Sequence, residues 1–230
     1  MKKVGIVGGL GPASTIDYYR GIIEGFRSVN GDDQYPEIVI DSINMAELVK
    51  HIEAQDYNSV AGQLLKSISN LERARADFAA IASNSPHIVW DLIKNKTPIP
   101  LISIIDATCD HIMSCNYQQV LIFATKFTMK NGLYSRALSG REIDWILPEE
   151  EDIEMLGDII YPNLENGIVL ETHKKKMIAI AEKYIERHKA DSLLLGCTEI
   201  PLMIKPGDVS VPVINTTEIH IEKICNALLQ

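Results

Sequence analysis

At 230 residues the chain is long enough for one large domain or two modest lobes, and 46% hydrophobic with 23% charged residues leaves ample material for a buried core. A net charge of −9 argues against a nucleic-acid partner, which requires a dense basic face, and the one basic run, Lys174 to Lys176, reads as a solvated helical face beside Glu171 and Glu182. Four scattered cysteines, without CxxC or His-rich spacing, argue against a metal site and do not demand disulfides, so a reduced, cytoplasmic setting is expected.

The start, MKKVGIVGG, reaches glycine after four residues, too soon for a signal peptide, and no later apolar run is long enough to span a bilayer. No membrane partner is therefore expected. Val- and Ile-rich runs then alternate with segments of helical period, which is the pattern of an α/β protein with mainly parallel strands. Strands are expected near Lys3–Val7, Glu37–Asp41, Phe78–Ser83, Leu101–Ile104, Gln119–Phe123, Ile143–Ile146, Ser192–Gly196 and Val211–Ile214. Ala13 to Phe26 reads as a helix because Pro12 suits a first turn. Tyr57 to Arg75 places Val60, Leu64, Ile68 and Leu71 on one face, and Ile168 to His188 does the same with Met177, Ile178, Ala181 and Ile185. The proline-bearing stretches NKTPIPLIS (Asn95–Ser103) and IKPGDVSVP (Ile204–Pro212) are candidate crossovers. They divide the chain into one lobe of residues 1–98 plus 207–230 and another of residues 99–206.

Four stretches at strand ends carry chemistry. GIVGGLGPAST follows the first strand, but strict G-x-G-x-x-G spacing puts Ser14 where the third glycine belongs. Pro12 also removes an amide that would face a pyrophosphate, so a small-molecule cleft is the better reading. SNSPH (Ser83–His87) follows the third strand; Asn84 and Ser85 suit a helix cap, Pro86 a first turn, and His87 a structural hydrogen bond. ATKFTMKNGLY (Ala124–Tyr134) offers Thr125 and Thr128 either to an anion or as caps. LLLGCTEIP (Leu193–Pro201) places Cys197 where a strand should end and a helix begin. Amides there favour a thiolate, whereas Cys109 and Cys225, inside helices, read as small buried hydrophobes. Glu199 reads as an acid that complements the dipole of the next helix.

VGIVGGLGP, SNSPH, ATKFTMKNGLY and GCTEIP in this order resemble the aspartate/glutamate racemase family, over nearly the full length. The resemblance implies two similar α/β/α lobes with mainly parallel four-stranded sheets, an active site in the cleft between them, and a homodimer. It implies inversion of a small-molecule amino acid or dicarboxylate with no cofactor, pyridoxal phosphate included, and no metal. The catalytic pair falls at Ser83 and Cys197: Cys197 abstracts the α-proton and Ser83 returns one to the opposite face. Ser83 departs from the more usual cysteine, and a hydroxyl is too weak an acid to rest as an alkoxide, so the enzyme is expected to be asymmetric. Asn84, Ser85, Thr128 and Thr198 are expected to hold the α-carboxylate. Val49 and Glu165 stand where family members that act on aspartate carry an arginine and a lysine, with Lys50 and His51 as neighbours able to compensate. Aspartate or glutamate is the first choice of substrate. Two other readings stand beside it: a single-cysteine decarboxylase or cis–trans isomerase of the same superfamily, and a non-catalytic amino-acid-binding pseudoenzyme.

Overall fold

The structure is a computed structural model describing residues 1–31 and 34–230. The polypeptide forms two compact units, one of Met1–Ala107 with Thr217–Gln230 and the other of Thr108–Thr216. The first contains β1 (Lys3–Gly8), α1 (Pro12–Asn30), β2 (Glu37–Ser42), α2 (Met45–Glu53), α3 (Tyr57–Arg73), β3 (Phe78–Ile81), a 3-10 turn at Ser85–Val89, α4 (Trp90–Ile93) and β4 (Leu101–Ile102). Helix α5 (Ile104–Ser114) carries the chain onward into β5 (Gln119–Ala124), α6 (Lys126–Lys130), α7 (Leu133–Ser139), β6 (Asp144–Ile146) and α8 (Glu150–Ile160). A 3-10 turn at Leu164–Asn166, α9 (Glu171–His188), β7 (Ser192–Gly196), a 3-10 turn at Ile200–Leu202 and β8 (Val213–Asn215) complete the second unit, and α10 (Thr216–Leu228) returns to the first. The eight expected strands are present with ends shifted by at most two residues.

Both sheets are parallel and share one topology. The first has the order β2-β1-β3-β4 and the second β6-β5-β7-β8. In the first, Ile6 pairs with Ile40 on one side and Ala80 on the other; in the second, Ile122 pairs with Leu194, which pairs with Ile214. The inner strands are buried on both faces, as parallel strands flanked by helices must be, and this explains their unbroken apolar runs. Phe78–Ile81 and Ser192–Gly196 are buried throughout.

The chain crosses between units within α5 and α10. Residues 99–107, expected in the second lobe, pack with the first unit because β4 pairs with β3 through Ala79–Leu101 and Ala80–Ile102. Residues 207–216, expected in the first lobe, pack with the second because β8 pairs with β7. Both proline-bearing stretches therefore lead into an edge strand and are not themselves the crossing.

Helix α1 buries Tyr18, Ile22 and Phe26 against Val4, Ile6, Phe78 and Ala80 of the first sheet, where Ile224, Cys225 and Leu228 of α10 join the same core. Each such side chain contributes roughly 1.5–3 kcal/mol on leaving water. In the second unit α9 buries Met177, Ile180, Ala181, Tyr184 and Ile185. Cys109 and Cys225 are buried, as their helical positions implied. Among the described residues no helix is long and apolar enough to cross a membrane.

Candidate functional site

In a parallel sheet of this order the direction of chain progression reverses between two inner strands, β1 and β3 in one unit and β5 and β7 in the other. Loops leaving the carboxyl ends of such strands diverge and leave a crevice in which ligands bind. The four stretches singled out in the sequence are the loops at these four strand ends. Ser83 follows the third strand of the first sheet and Cys197 the third strand of the second, so the two residues hold equivalent places.

At the end of β1 the glycine turn is committed internally. Gly9 has φ +80°, and a Cβ there would lie 2.5 Å from the carbonyl oxygen of Ile43. Its amide donates to Thr15 Oγ1 at 2.8 Å, and Ile43 N–H donates to the Gly8 carbonyl at 3.0 Å. Ser14, at the place of the missing third glycine, donates its hydroxyl to the Ala82 carbonyl at 3.1 Å. The turn thus braces the Ser83 loop.

In that loop Ser83 is half-buried, Asn84 and His87 are buried, and Ser85 is half-buried. The expected helix is a 3-10 turn, with Pro86 in its first turn and no capping bond from the Asn84 side chain. The ring of His87 stacks on Trp90 with centroids 5.3 Å apart and an interplanar angle of 23°. The structural hydrogen bond expected of His87 is not formed: neither ring nitrogen has a well-formed partner among the described residues. Burial pushes its pKa down to about 4, against opposing influences from the carbonyls of Ser83 and Asn84 and the charge of Asp106.

A second histidine lies deep in the same unit. His220 of α10 takes a hydrogen bond at Nδ1 from the Tyr18 hydroxyl at 2.7 Å, and its Nε2 donates to the Ile102 carbonyl at 3.0 Å. Burial, with a smaller push from His87, lowers its pKa to about 3. Nothing local in the sequence announces this link, which joins α1, α10 and β4 across 202 residues.

In the second unit Thr125 caps α6, accepting from the Thr128 amide at 3.2 Å and donating to Thr128 Oγ1 at 3.0 Å. Capping therefore holds there, with Thr128 buried. At the end of β7, Cys197 is only 4% exposed and no α-helix follows it. Pro201 and the Lys205–Pro206–Gly207 run allow only the three-residue turn at Ile200–Leu202 before β8. The thiol's neighbour is a carboxylate instead of a helix dipole. Cys197 Sγ donates to Glu199 Oε2 at 3.1 Å, and Thr198 Oγ1 donates to the same oxygen at 2.8 Å. Glu199 is itself buried, so sequence reasoning missed its part; the i, i+2 spacing of thiol and acid at a strand end is the signal available. Tyr134 packs on the last residue of β7, since a Cβ on Gly196 would lie 2.9 Å from its ring.

Val49 is half-buried on α2, Lys50 is exposed, and His51 Nδ1 lies 3.5 Å from Asp56 Oδ2. The side chain of Glu165 lies outside the described residues. Among the described residues no three His, Cys, Asp or Glu side chains cluster to hold a metal ion.

Comparison with known proteins agrees with this layout. The family model for Asp/Glu/hydantoin racemase matches residues 7–224. A Bacillus subtilis protein described as a broad specificity amino-acid racemase is 20% identical over 220 residues, spanning 93% of this chain and 92% of that protein. The crystal structure of an aspartate racemase homologue from Pyrococcus horikoshii superposes with a TM-score of 0.88 at 37% identity, with full coverage of both chains. The fold is shared with the Picrophilus torridus aspartate racemase, at a TM-score of 0.79 and 24% identity, over 99% of this chain and 94% of that one. With its two sheets, its four strand-end loops and this match over almost its whole length, the chain belongs to the Asp/Glu/hydantoin racemase family.

Proposed function

We propose that the protein is a cofactor-independent amino-acid racemase that inverts the α-carbon by proton removal and return, with aspartate or glutamate as the first choice of substrate. Cys197 removes the α-proton as a thiolate. Glu199 Oε2, 3.1 Å from the sulfur, accepts the thiol proton and prepares it. This contact is the observation that carries the reading: a structural buried cysteine has no need of a carboxylate partner. Ser83, at the equivalent strand end, returns a proton to the opposite face. Asn84, Ser85, Thr128 and Thr198 supply hydroxyl, amide and side-chain donors to the α-carboxylate, where negative charge builds as the carbon ionises. Lys50 on α2 meets the side-chain carboxylate, since His51 is held by Asp56. The active form is a homodimer.

The test is incubation of L- and D-aspartate, L- and D-glutamate, and a panel of neutral and basic amino acids in deuterated water, followed by proton NMR and chiral chromatography. Loss of the α-proton signal with appearance of the other enantiomer is expected for at least one pair. Absence of exchange and inversion throughout refutes the reading. Release of carbon dioxide from substituted malonates would instead support the single-thiol decarboxylase, and stabilisation by a ligand without turnover the binding protein.

A further inference from the structure

A hydroxyl at position 83 raises a chemical difficulty, because racemisation requires each residue of the pair to act as the base for one enantiomer. A serine hydroxyl, with its very high pKa, cannot do so unless another group takes its proton as it accepts the substrate's. Among the described residues of the Ser83 loop, His87 is a base that the mechanism above leaves unused. His87 lies four residues along, in the turn that begins at Ser85, and its amide donates to the Asn84 carbonyl at 3.0 Å. Side chains of such a turn lean back towards its start, and the ring is felt by the carbonyls of Ser83 and Asn84. Stacking on Trp90 fixes its plane. The charge of Asp106 acts on it from α5 and His220 lies near it on α10. Both ring nitrogens are buried without a well-formed partner among the described residues. The carbonyls of Ser83 and Asn84 act on the ring without forming a well-made bond to either nitrogen.

We propose that His87 is the positioning residue and proton partner of Ser83, a ring nitrogen that makes no such bond at rest accepting the Ser83 hydroxyl hydrogen as substrate binds, with Asp106 steadying the charge that develops on the ring. The assignment rests on the racemase reading above. In the stroke where Ser83 is the base, its Oγ takes the α-hydrogen as a proton while its own hydroxyl proton passes to the imidazole. The Cα–H electron pair stays on the substrate as the carbanion. The Cys197 thiol then protonates the opposite face and is left as thiolate, and the imidazolium returns its proton to that thiolate through solvent. No electrons change hands. Burial keeps the ring neutral, and so able to accept, at any pH above about 5. The same burial makes it a reluctant base, so this face should work more slowly than the Cys197 face.

The test follows exchange and inversion separately for both enantiomers in deuterated water, using the parent, His87→Gln, His87→Phe (which keeps the stack on Trp90) and each change combined with Ser83→Cys. The enantiomer whose α-hydrogen meets Cys197 exchanges through the thiol alone, and its exchange should stay within about twofold of the parent in His87→Gln and His87→Phe, which also certifies the fold. Exchange of the other enantiomer, and inversion in both directions, should fall together by about a hundredfold. In the Ser83→Cys background the same His87 changes should cost less than about threefold, because a thiol ionises without help. Equal loss of exchange for both enantiomers, or an undiminished loss in the Ser83→Cys background, overturns the assignment of His87 alone. A parent that exchanges no amino acid overturns the racemase reading and this inference with it.

Discussion

Acidification to pH 5 should unfasten the first unit through its two buried imidazoles. His87 and His220 have folded pKa values lowered to about 4 and about 3, while in the unfolded chain both return to about 6.5. Below 6.5 the unfolded chain therefore binds protons that the folded one refuses, so stability is complete above that value and is lost as pH falls beneath it. The loss at pH 5 is insensitive to the folded values, because both lie under 5 and neither ring is yet charged. Each site then costs about 1.4 kcal/mol per pH step below 6.5, or about 2 kcal/mol, and the pair about 4 kcal/mol. Against a total stability of roughly 5–15 kcal/mol this is a large fraction. Exposed carboxylates such as Glu154, held near 2 by Lys126 and Lys130, titrate further down and leave the window clear. Urea unfolding followed by circular dichroism at pH 8, 6.5 and 5 should show the midpoint falling steeply across the lower interval, with the loss confined to the transition that melts the β1–β4 sheet. His87→Gln and His220→Gln should each start less stable at pH 8 yet flatten the dependence by about 2 kcal/mol. A midpoint that stays level from pH 8 to 5, or falls as much in the double variant, refutes the reasoning.

Glu199→Gln keeps shape but removes the charge facing Cys197, and the difference between charged and neutral hydrogen bonds, about 1–2 kcal/mol, should lower exchange about tenfold, measured in deuterated water. Unchanged exchange in that variant, with Cys197→Ala inactive, would show the carboxylate to be structural. Gly9→Ala should destabilise by about 2–4 kcal/mol, because φ +80° and a carbonyl 2.5 Å away both oppose a Cβ; urea unfolding reads it directly. Ser83→Cys should raise inversion by about tenfold or more by giving the first face a titratable thiol, seen by chiral chromatography. Lys50→Ala should raise KM for aspartate by about tenfold while leaving kcat near the parental value, as expected for loss of one exposed charge contact.

The strands were legible because fully buried parallel strands spell themselves as Val, Ile and Leu runs, and the strand-end loops because each run stops at small polar residues. Ser83 and Cys197 could be picked out on that basis, and the topology places them at matching positions. Other features were hidden for physical reasons. The edge strand β4 pairs through two residues, too few to declare which sheet receives it, so the crossing was sought at the prolines. Helix dipoles were expected after Ser83 and Cys197, but Pro86 and Pro201 open tight 3-10 turns there. The Tyr18–His220 link depends on partners at opposite ends of the chain, which no local pattern reports. Glu199 looked like any acid near a helix start, and only the side-chain geometry shows both hydroxyl and thiol directed to one oxygen.

Because the second unit is an uninterrupted stretch from Thr108 to Thr216 while the first borrows Thr217–Gln230, synthesis on the ribosome imposes an order on assembly. The middle of the chain completes its interior from one continuous run of residues. The N-terminal portion, although it emerges earliest, must wait with Tyr18 and Ile22 uncovered until His220, Ile224 and Leu228 leave the exit tunnel.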